Sequence, residues 1–243
     1  MKRSGEAVNS RFWADVWTVL RKEWLEWAAA PGCYVQPLVI IVVFGVVFPP
    51  AAGPLWAGQP LVQWLWSWLP LVLSAGLMAD TFAGERERDT LEALLASRLP
   101  DRAILLGKAA AVAAYGWAVT FLCWLIGAAA VWLSSGGQAA VFSTQMALAL
   151  PLLSFLAAWY VACLGVLISL RAQSVHQAQQ WMSVAMLGTL IVVGLYAAPL
   201  LPAATGGAGG QVLALAAAVL LALDAGLLLA LLARPQRSEW LIY

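Results

Sequence analysis

The chain has 243 residues, of which 63% are hydrophobic and only 10% are charged. A soluble domain is about 45–50% apolar and about 25% charged, so this composition excludes an ordinary water-soluble fold. It indicates that most of the chain contacts lipid or other buried helices. The net charge of +1 provides no overall basic field to hold nucleic acid.

Residues 1–32 are predicted to form a cytoplasmic helix that lies in the membrane interface. Charged side chains, among them Lys22, project from one face, and Glu23 follows Lys22. Pro31 and Gly32 break the helix before the chain enters the bilayer. The alternative is an ordinary amphipathic helix packed on the protein's own cytoplasmic face. The apolar stripe of this helix contains Trp13, Val16, Trp17, Leu20, Trp24 and Trp27.

Six apolar stretches can cross a hydrocarbon core about 30 Å thick, which takes about 20 helical residues. The predicted fold is therefore an all-α polytopic membrane protein with six transmembrane helices, in a single domain over residues 1–243. Residues 33–83 hold the first two spans, and residues 103–233 hold the other four. The stretches are Tyr34–Phe48, Leu61–Ala83, Ala103–Leu133, Ala139–Leu170, Trp181–Leu200 and Gln211–Ala233.

The links between the stretches are of two kinds. Three are rich in Pro, Gly, Ser and Ala and contain no charge, namely residues 49–60, 134–138 and 201–210. The other four contain or adjoin all 13 Lys and Arg, namely residues 1–33, 84–102, 171–180 and 234–243. Because Lys and Arg near helix ends are retained in the cytoplasm, both termini are predicted to be cytoplasmic, and residues 234–243 form a cytoplasmic tail.

The link at residues 84–102 is the most informative segment. Asp89 followed by Glu92 resembles a capping box that starts a short helix, Pro100 ends that helix, and Asp101 can then cap the third span. The leucines of the helix share one face with no evident core of its own, which favours a partner groove. The alternative is a solvated loop whose leucines lie on the protein's own helix ends. The leucines are Leu91, Leu94, Leu95 and Leu99.

These residues resemble the permease subunits of type-2 ABC (ATP-binding cassette) transporters, the exporters of bacteria and archaea. The resemblance is carried by the Glu-Arg-Glu-Arg, Thr-Leu-Glu and Leu-Leu progression within residues 82–97 and by Leu-Gly-Lys at 106–108. Lys22-Glu23 is similar to a dipeptide of the family's N-terminal interfacial helix, and residues 174–180 resemble its polar turn before the fifth span. Asp89 departs from the family pattern, because many members have a small residue there.

The resemblance implies a function and a location. The helix within residues 84–102 would be a coupling helix seated in a cleft of a separate ABC ATPase subunit. Two permease chains, identical or paralogous, would form the pathway as a dimer in the prokaryotic plasma (inner) membrane. The residues implied to couple to the ATPase are Glu85, Arg86, Arg88, Thr90, Leu91, Glu92, Leu94, Leu95 and Arg98.

The chain is not expected to be an enzyme itself. Lys108 is followed by Ala109, and no glycine precedes Gly107 at the spacing of a phosphate-binding loop. ATP and Mg²⁺ are therefore expected on the partner ATPase, and no cofactor or metal is expected on this chain. The single His and the three widely separated Cys indicate neither a hydrolase nor a zinc site.

Two carboxyl groups lie within or near the apolar stretches. Asp224 lies ten residues before Arg234 in the sixth stretch, where a carboxylate is costly unless it is paired, hydrated or protonated. Asp80 lies one turn inside Gly84, close to the predicted cytoplasmic interface. Each could line a pathway or bond to a neighbouring helix.

Two other functions stay open at this point. One is a permease-like scaffold or assembly subunit of a membrane complex. The other is a secondary transporter, which should show inverted repeats or interrupted helices with charges at the bilayer midplane. Only Asp224 favours that second alternative.

Overall fold

The computed structural model describes residues 2–53, 56, 59–137, 144–197 and 209–233 of the chain. These residues form helices joined by short turns, in agreement with the predicted all-α class. The helices are α1 (Lys2–Ala29), α2 (Val35–Ile41), a π-helical segment (Val42–Val47), α3 (Phe48–Ala52), α4 (Pro60–Glu87), α5 (Leu91–Leu95), α6 (Asp101–Ser134), α7 (Thr144–Arg171), α8 (Val175–Ala197) and α9 (Gly209–Leu232).

Within the described residues, three helical stretches are long and apolar enough to cross a membrane: Val35–Ala52, Asp101–Ser134 and Ala149–Arg171. They coincide with the first, third and fourth predicted spans. The second, fifth and sixth predicted spans coincide with α4, α8 and α9, which contain 28, 23 and 24 residues. At 1.5 Å per residue each of these helices exceeds about 30 Å in length. The start of the fourth predicted span, the end of the fifth and the tail at 234–243 lie outside the described residues.

The first span changes from α to π geometry at Val42–Val47, just before a Pro-Pro pair. Proline has no N–H, and its ring crowds the carbonyl four residues earlier, so Gly45 and the residue after it lose their α-type partners. Phe48 donates its N–H to a carbonyl five residues back, which is the wider π pattern. Gly45 faces α6, where an added Cβ would lie 3.3 Å from the carbonyl oxygen of Cys123.

The hydrophobic core lies between α4, α6, α7, α8 and α9. Helix α4 packs along α7 and also contacts α6 and α8, whereas α9 packs mainly on α7. Trp68, Leu71 and Met78 of α4 are buried in this core, and Met186 of α8 joins them. The core therefore runs along the bundle axis, and most of the outer helix faces are apolar and exposed.

Helix α1 lies along α6 and presents two different faces. Val16 and Val19 are buried against the bundle, whereas the side chains of Trp13, Trp17 and Trp24 are 58%, 64% and 46% exposed. Within the predicted apolar stripe, Val16 therefore packs on the protein and Trp13 and Trp17 face outward. Trp24 is half-exposed and donates its indole N–H to the carbonyl oxygen of Ala111 on α6 at 3.3 Å. The packing of α1 on α6 agrees with the alternative of an amphipathic helix on the protein's own face, and the location of α1 in the membrane interface stays a prediction.

The ends of the short helix α5 differ from the sequence prediction. Asp89 does not act as the capping residue: its φ is +56°, and Thr90 occupies the N-cap position without a side-chain cap hydrogen bond. Asp tolerates the left-handed region better than most residues, which explains its place in the turn. Likewise Pro100 is the N-cap of α6, and Asp101 is the first residue of the helix. There its negative charge still favours the positive end of the helix dipole.

Candidate functional site

A buried group of charges joins three helices near the beginning of α5. Helix α1 supplies Lys22 and Glu23, the last turn of α4 supplies Glu85, and the second turn of α6 supplies Lys108. These four residues are called the ionic cluster below. Within it, Lys22 and Glu85 lie 63 residues apart in the chain, and Glu23 and Lys108 lie 85 residues apart.

Lys108 is the centre of the ionic cluster, and its side chain is only 1% exposed. Its Nζ lies 2.8 Å from Glu23 Oε1, 3.0 Å from Glu85 Oε1 and 2.9 Å from the carbonyl oxygen of Thr81. The same Nζ lies 5.0 Å from the centroid of the Phe82 ring. An ammonium group has three N–H donors, and three acceptors meet it here. The buried charge is therefore fully compensated.

Lys22 occupies the outer side of the ionic cluster. Its Nζ lies 2.9 Å from Glu85 Oε1 and 3.2 Å from Glu26 Oε1. Partial burial acts to lower the pKa of Lys22, but the hydrogen bond and charge of Glu85 outweigh it, so the pKa lies above its ordinary value. Glu85 Oε1 thus serves two ammonium groups, while Glu85 Oε2 accepts no hydrogen bond from the described residues.

The close approach of α1 and α6 depends on Gly107. A Cβ added at Gly107 would lie 2.6 Å from Val19 Cβ and 2.9 Å from the carbonyl oxygen of Val16, closer than side chains and backbone pack. Only glycine lets α1 lie close enough for Glu23 to reach Lys108. The Gly-Lys dipeptide therefore has two linked roles, one steric and one electrostatic.

Two side chains in the last helical turn of α4 form hydrogen bonds at the loop that joins α7 to α8. The Arg86 guanidinium donates hydrogen bonds to the carbonyl oxygens of Ala172 and Leu170, and burial lowers the pKa of Arg86. Glu87 Oε1 accepts a hydrogen bond of 2.8 Å from the N–H of Val175, the first residue of α8. A cation thus meets the end of one helix and a carboxylate meets the start of the next, as the helix dipoles favour.

A buried serine on α7 makes the second contact with α4. Ser169 Oγ donates to the carbonyl oxygen of Ala79 at 2.8 Å and accepts from the N–H groups of Phe82 and Ala83 at 2.9 Å each. The hydroxyl is completely buried, so these bonds satisfy both its donor and its acceptor capacity. These bonds hold α4 to α7 in the helical turns of α4 that precede Glu85.

The segment that follows α4 turns its leucines inward. Leu91 is 5% exposed and packs with Val19, Phe82 and Ile104, and Leu94 and Leu99 pack against the same group. The alternative in which the leucines lie on the protein's own helix ends therefore describes these three residues, and the expected unburied stripe is wrong for them. The side chain of Leu95 lies outside the described residues. The outward positions are Arg88, Asp89, Thr90, Glu92, Ala96 and Arg98.

Two further contacts shape the turn before α5. Arg88 Nη2 lies 2.7 Å from Asp80 Oδ2, and this hydrogen bond raises the pKa of Arg88. The Asp80 side chain fills the space beside Gly84, where an added Cβ would collide with it. Thr90 Oγ1 donates to the carbonyl oxygen of Glu85 at 3.2 Å. Asp80 is thus paired at the surface of the bundle.

Residues 14–202, which are most of the chain, match a protein family described as ABC-2 type transporter. The chain belongs to the ABC-2 type transporter family. It is therefore a polytopic membrane protein and a transporter permease domain, of a kind that is typically not catalytic and generally pairs with ABC ATPase subunits. No curated protein matches the chain at a significant level.

The ABC-2 match includes the whole ionic cluster and the segment around α5, and it ends before α9. Of the interfacial residues predicted from the sequence, Lys22 and Glu23 enter the cluster, and the outer tryptophans do not. Trp27 instead packs edge-on against Tyr115 of α6, with ring centroids 5.8 Å apart. Among the described residues, no group of three or more His, Cys, Asp or Glu side chains is arranged to hold a metal ion.

Three residues of this ABC-2 permease that form the site have no role assigned from the sequence. Gly107 and Lys108 enter there only through the resemblance and the argument against a phosphate-binding loop, and Ser169 carries no signal. A lysine at the sixth position of the apolar stretch Ala103–Leu133 is a usable signal, because a buried ammonium requires partners. Ser169 has no comparable signal, since a single serine in an apolar helix commonly bonds to its own backbone.

Proposed function

We propose that this ABC-2 permease is the membrane-spanning subunit of an ATP-driven exporter. It forms the translocation pathway as a dimer with a second permease chain, and separate ATPase subunits hold ATP and Mg²⁺ and drive it. The six predicted crossings, with both termini cytoplasmic in a prokaryotic plasma (inner) membrane, place residues 84–102 on the side where ATP is available. The ionic cluster beside that segment is the observation that supports the proposal most.

The ionic cluster makes three helices respond as one. Separating Lys108 from Glu23 or Glu85 would leave a buried charge unpaired, which costs several kcal/mol, roughly 3–5 by analogy with other buried pairs. A displacement of the segment after Glu85 is therefore passed to α1, α4 and α6 together rather than absorbed locally. Long helices held in this way act as levers between an ATPase contact and the membrane.

The ATPase contact is assigned to the outward, charged face of residues 84–102, called the coupling segment below. Leu91 is buried on the permease itself, and Leu94 and Leu99 are partly buried against the same group, so little of the apolar surface of these leucines is available to a partner. Arg88, Glu92 and Arg98 remain on the outside. The cleft of the ATPase should accordingly be polar, with acidic groups for the arginines, and the leucines should keep the segment in the shape that fits it.

Charge reversal on this face tests the proposal. In the complex expressed with its ATPase, Arg98→Glu is expected to abolish co-purification of the ATPase and ATP-dependent transport. Its thermal unfolding temperature should match that of wild type, because Arg98 is exposed. Arg11→Glu, which reverses an exposed charge on α1, should change neither property and serves as the matched control.

Two results would contradict parts of the proposal. An Arg98→Glu complex that keeps its ATPase and transports normally would show that the outward face is not the contact. A wild-type complex that binds the ATPase and hydrolyses ATP but moves no cargo across the membrane would favour the scaffold alternative instead.

A further inference from the structure

Asp224 lies on a face of α9 that otherwise presents leucines to the bundle. Leu220, Leu227 and Leu231 lie on the same face, and all of them pack in the hydrophobic clusters between α9 and the bundle. Leu220 and Leu231 are 4% and 0% exposed, and Asp224 between them is 6% exposed. The carboxyl group therefore replaces an aliphatic side chain inside the contact of α9 with α7.

Within the described ranges of the chain, this carboxyl group has no counter-charge. Neither oxygen of Asp224 has a hydrogen-bond partner among the described residues. On α7, the titratable group that interacts electrostatically with Asp224 is the buried thiol of Cys163, and a thiol supplies no cation. On α6, the buried cation Lys108 is bound to Glu23 and Glu85. The described part of α9 contains no other charged residue.

An ionised carboxylate in such surroundings costs several kcal/mol unless a cation or hydrogen-bond donors compensate it. A protonated carboxyl group carries no net charge and avoids most of that cost. We propose that Asp224 is a proton-binding site, occupied while α9 is packed on α7, and that it is a site of modification by apolar carbodiimides. The proton would leave when water enters between the two helices, so the site reports their separation.

The modification follows directly from the neutral acid. The O–H group of Asp224 adds across one C=N bond of the carbodiimide, so that its oxygen bonds to the central carbon and its proton moves to a nitrogen. The O-acylisourea formed in this way rearranges to a stable N-acylurea. No group leaves, and nothing is oxidised or reduced. An ionised carboxylate lacks the proton that the first step requires.

Carbodiimide labelling of the purified full-length protein is the first test. We expect dicyclohexylcarbodiimide to modify the peptide that contains Asp224, detected by mass spectrometry, and the label to be lost in Asp224→Asn. Asp80, which is paired with Arg88 and partly exposed, is the internal control and should stay unlabelled by the apolar reagent. Labelling of Asp224 by a water-soluble carbodiimide as readily as by the apolar one would overturn the proposal.

Infrared spectroscopy gives a second test that does not require a reagent to enter the protein. The spectrum of the wild-type protein at neutral pH should contain the carbonyl band of a protonated carboxylic acid. That band should be lost in Asp224→Asn and retained in Asp80→Asn. A difference spectrum in which Asp224→Asn removes carboxylate bands instead would overturn the proposal. Neither test involves an ATPase or a cargo, so its failure would leave the proposed exporter function unaffected.

Discussion

Glu85 and Asp224 are buried to the same extent, each 6% exposed, yet their surroundings are opposite. Glu85 lies where three helices meet, and it binds Lys22 and Lys108 at 2.9 and 3.0 Å. Asp224 lies within a leucine stripe, where no described residue bonds to it. Burial alone therefore does not determine what an acidic residue does in this protein.

The difference arises from what the neighbouring segments can supply. Glu85 lies near the end of α4, Lys108 lies near the start of α6, and the charged helix α1 brings Lys22 and Glu23 beside them. Around Asp224, α7 and α9 are apolar over several turns on both sides. A charge can be kept at the first position by pairing, whereas the second position favours the neutral acid.

Replacing each acid by its amide should give the largest contrast between the two positions. Glu85→Gln removes the negative charge shared by two ammonium groups and should lower the free energy of unfolding by about 3 kcal/mol, near the lower end for a broken buried pair because Lys108 keeps Glu23. Asp224→Asn exchanges one neutral polar group for another and should change the free energy of unfolding by less than about 1 kcal/mol. Denaturant unfolding in detergent measures both values.

The comparison also has an internal control. Because Glu85→Gln acts through Lys108, the double variant Glu85→Gln, Lys108→Met should be more stable than the sum of the two single changes predicts. Simple additivity would mean that the pair is not coupled. If Asp224→Asn lowers the free energy of unfolding as much as Glu85→Gln does, Asp224 is ionised and paired with a cation or hydrogen-bond donor.

A smaller contrast concerns glycines in the same two regions. Gly107→Ala places a methyl group against Val19 and the backbone of α1 and should cost about 1–3 kcal/mol. Gly226→Ala, two residues after Asp224, meets nothing within 4 Å and should stabilise α9 by about 0.5–1 kcal/mol, since alanine is the better helix former. Thermal unfolding should therefore shift in opposite directions.

The source of the Gly107→Ala effect can be checked by making room for the methyl group. Val19→Gly removes both the Cβ and the Cγ1 atom that the new methyl would strike, so Gly107→Ala should cost less in a Val19→Gly background than in wild type. If Gly107→Ala is as stable as wild type, α1 and α6 do not need to lie so close, and the steric account is wrong.

Much of the fold was predictable because it depends on local patterns. Apolar length located the helical stretches, and Pro31 with Gly32 marked the break between α1 and α2. The family resemblance pointed to Lys22, Glu23 and Glu85, and the structure brings all three into one cluster. The pairing itself was not predictable, because Glu23 and Lys108 are separated by 85 residues and no local pattern connects them.

The direction of the leucines and the cap of α5 were not predictable for a different reason. An apolar stripe on a five-residue helix fits a partner or the protein's own helix ends equally well, and only the position of Val19 and Ile104 decides for Leu91. Asp89 is compatible with a capping role and with a left-handed turn. Helix α4 ends at Glu87, and the N–H of Thr90 then bonds to the carbonyl oxygen of Glu85, which leaves Asp89 inside a tight turn.

The smallest expected effect separates the outer lysine from the inner one. Lys22 is 38% exposed, and Glu85 keeps Lys108 when Lys22 is removed, so Lys22→Met should lower the free energy of unfolding by less than about 1 kcal/mol. Burial lowers the pKa of Lys22, but Glu85 raises it further, to above the ordinary 10.5. A raised folded-state pKa contributes stability that is complete below the unfolded-state pKa and is lost only as pH rises through the folded-state value. The stability difference between wild type and Lys22→Met should therefore be equal at about pH 6 and about pH 9, and a difference that shrinks across this interval would show that Lys22 is not held by Glu85.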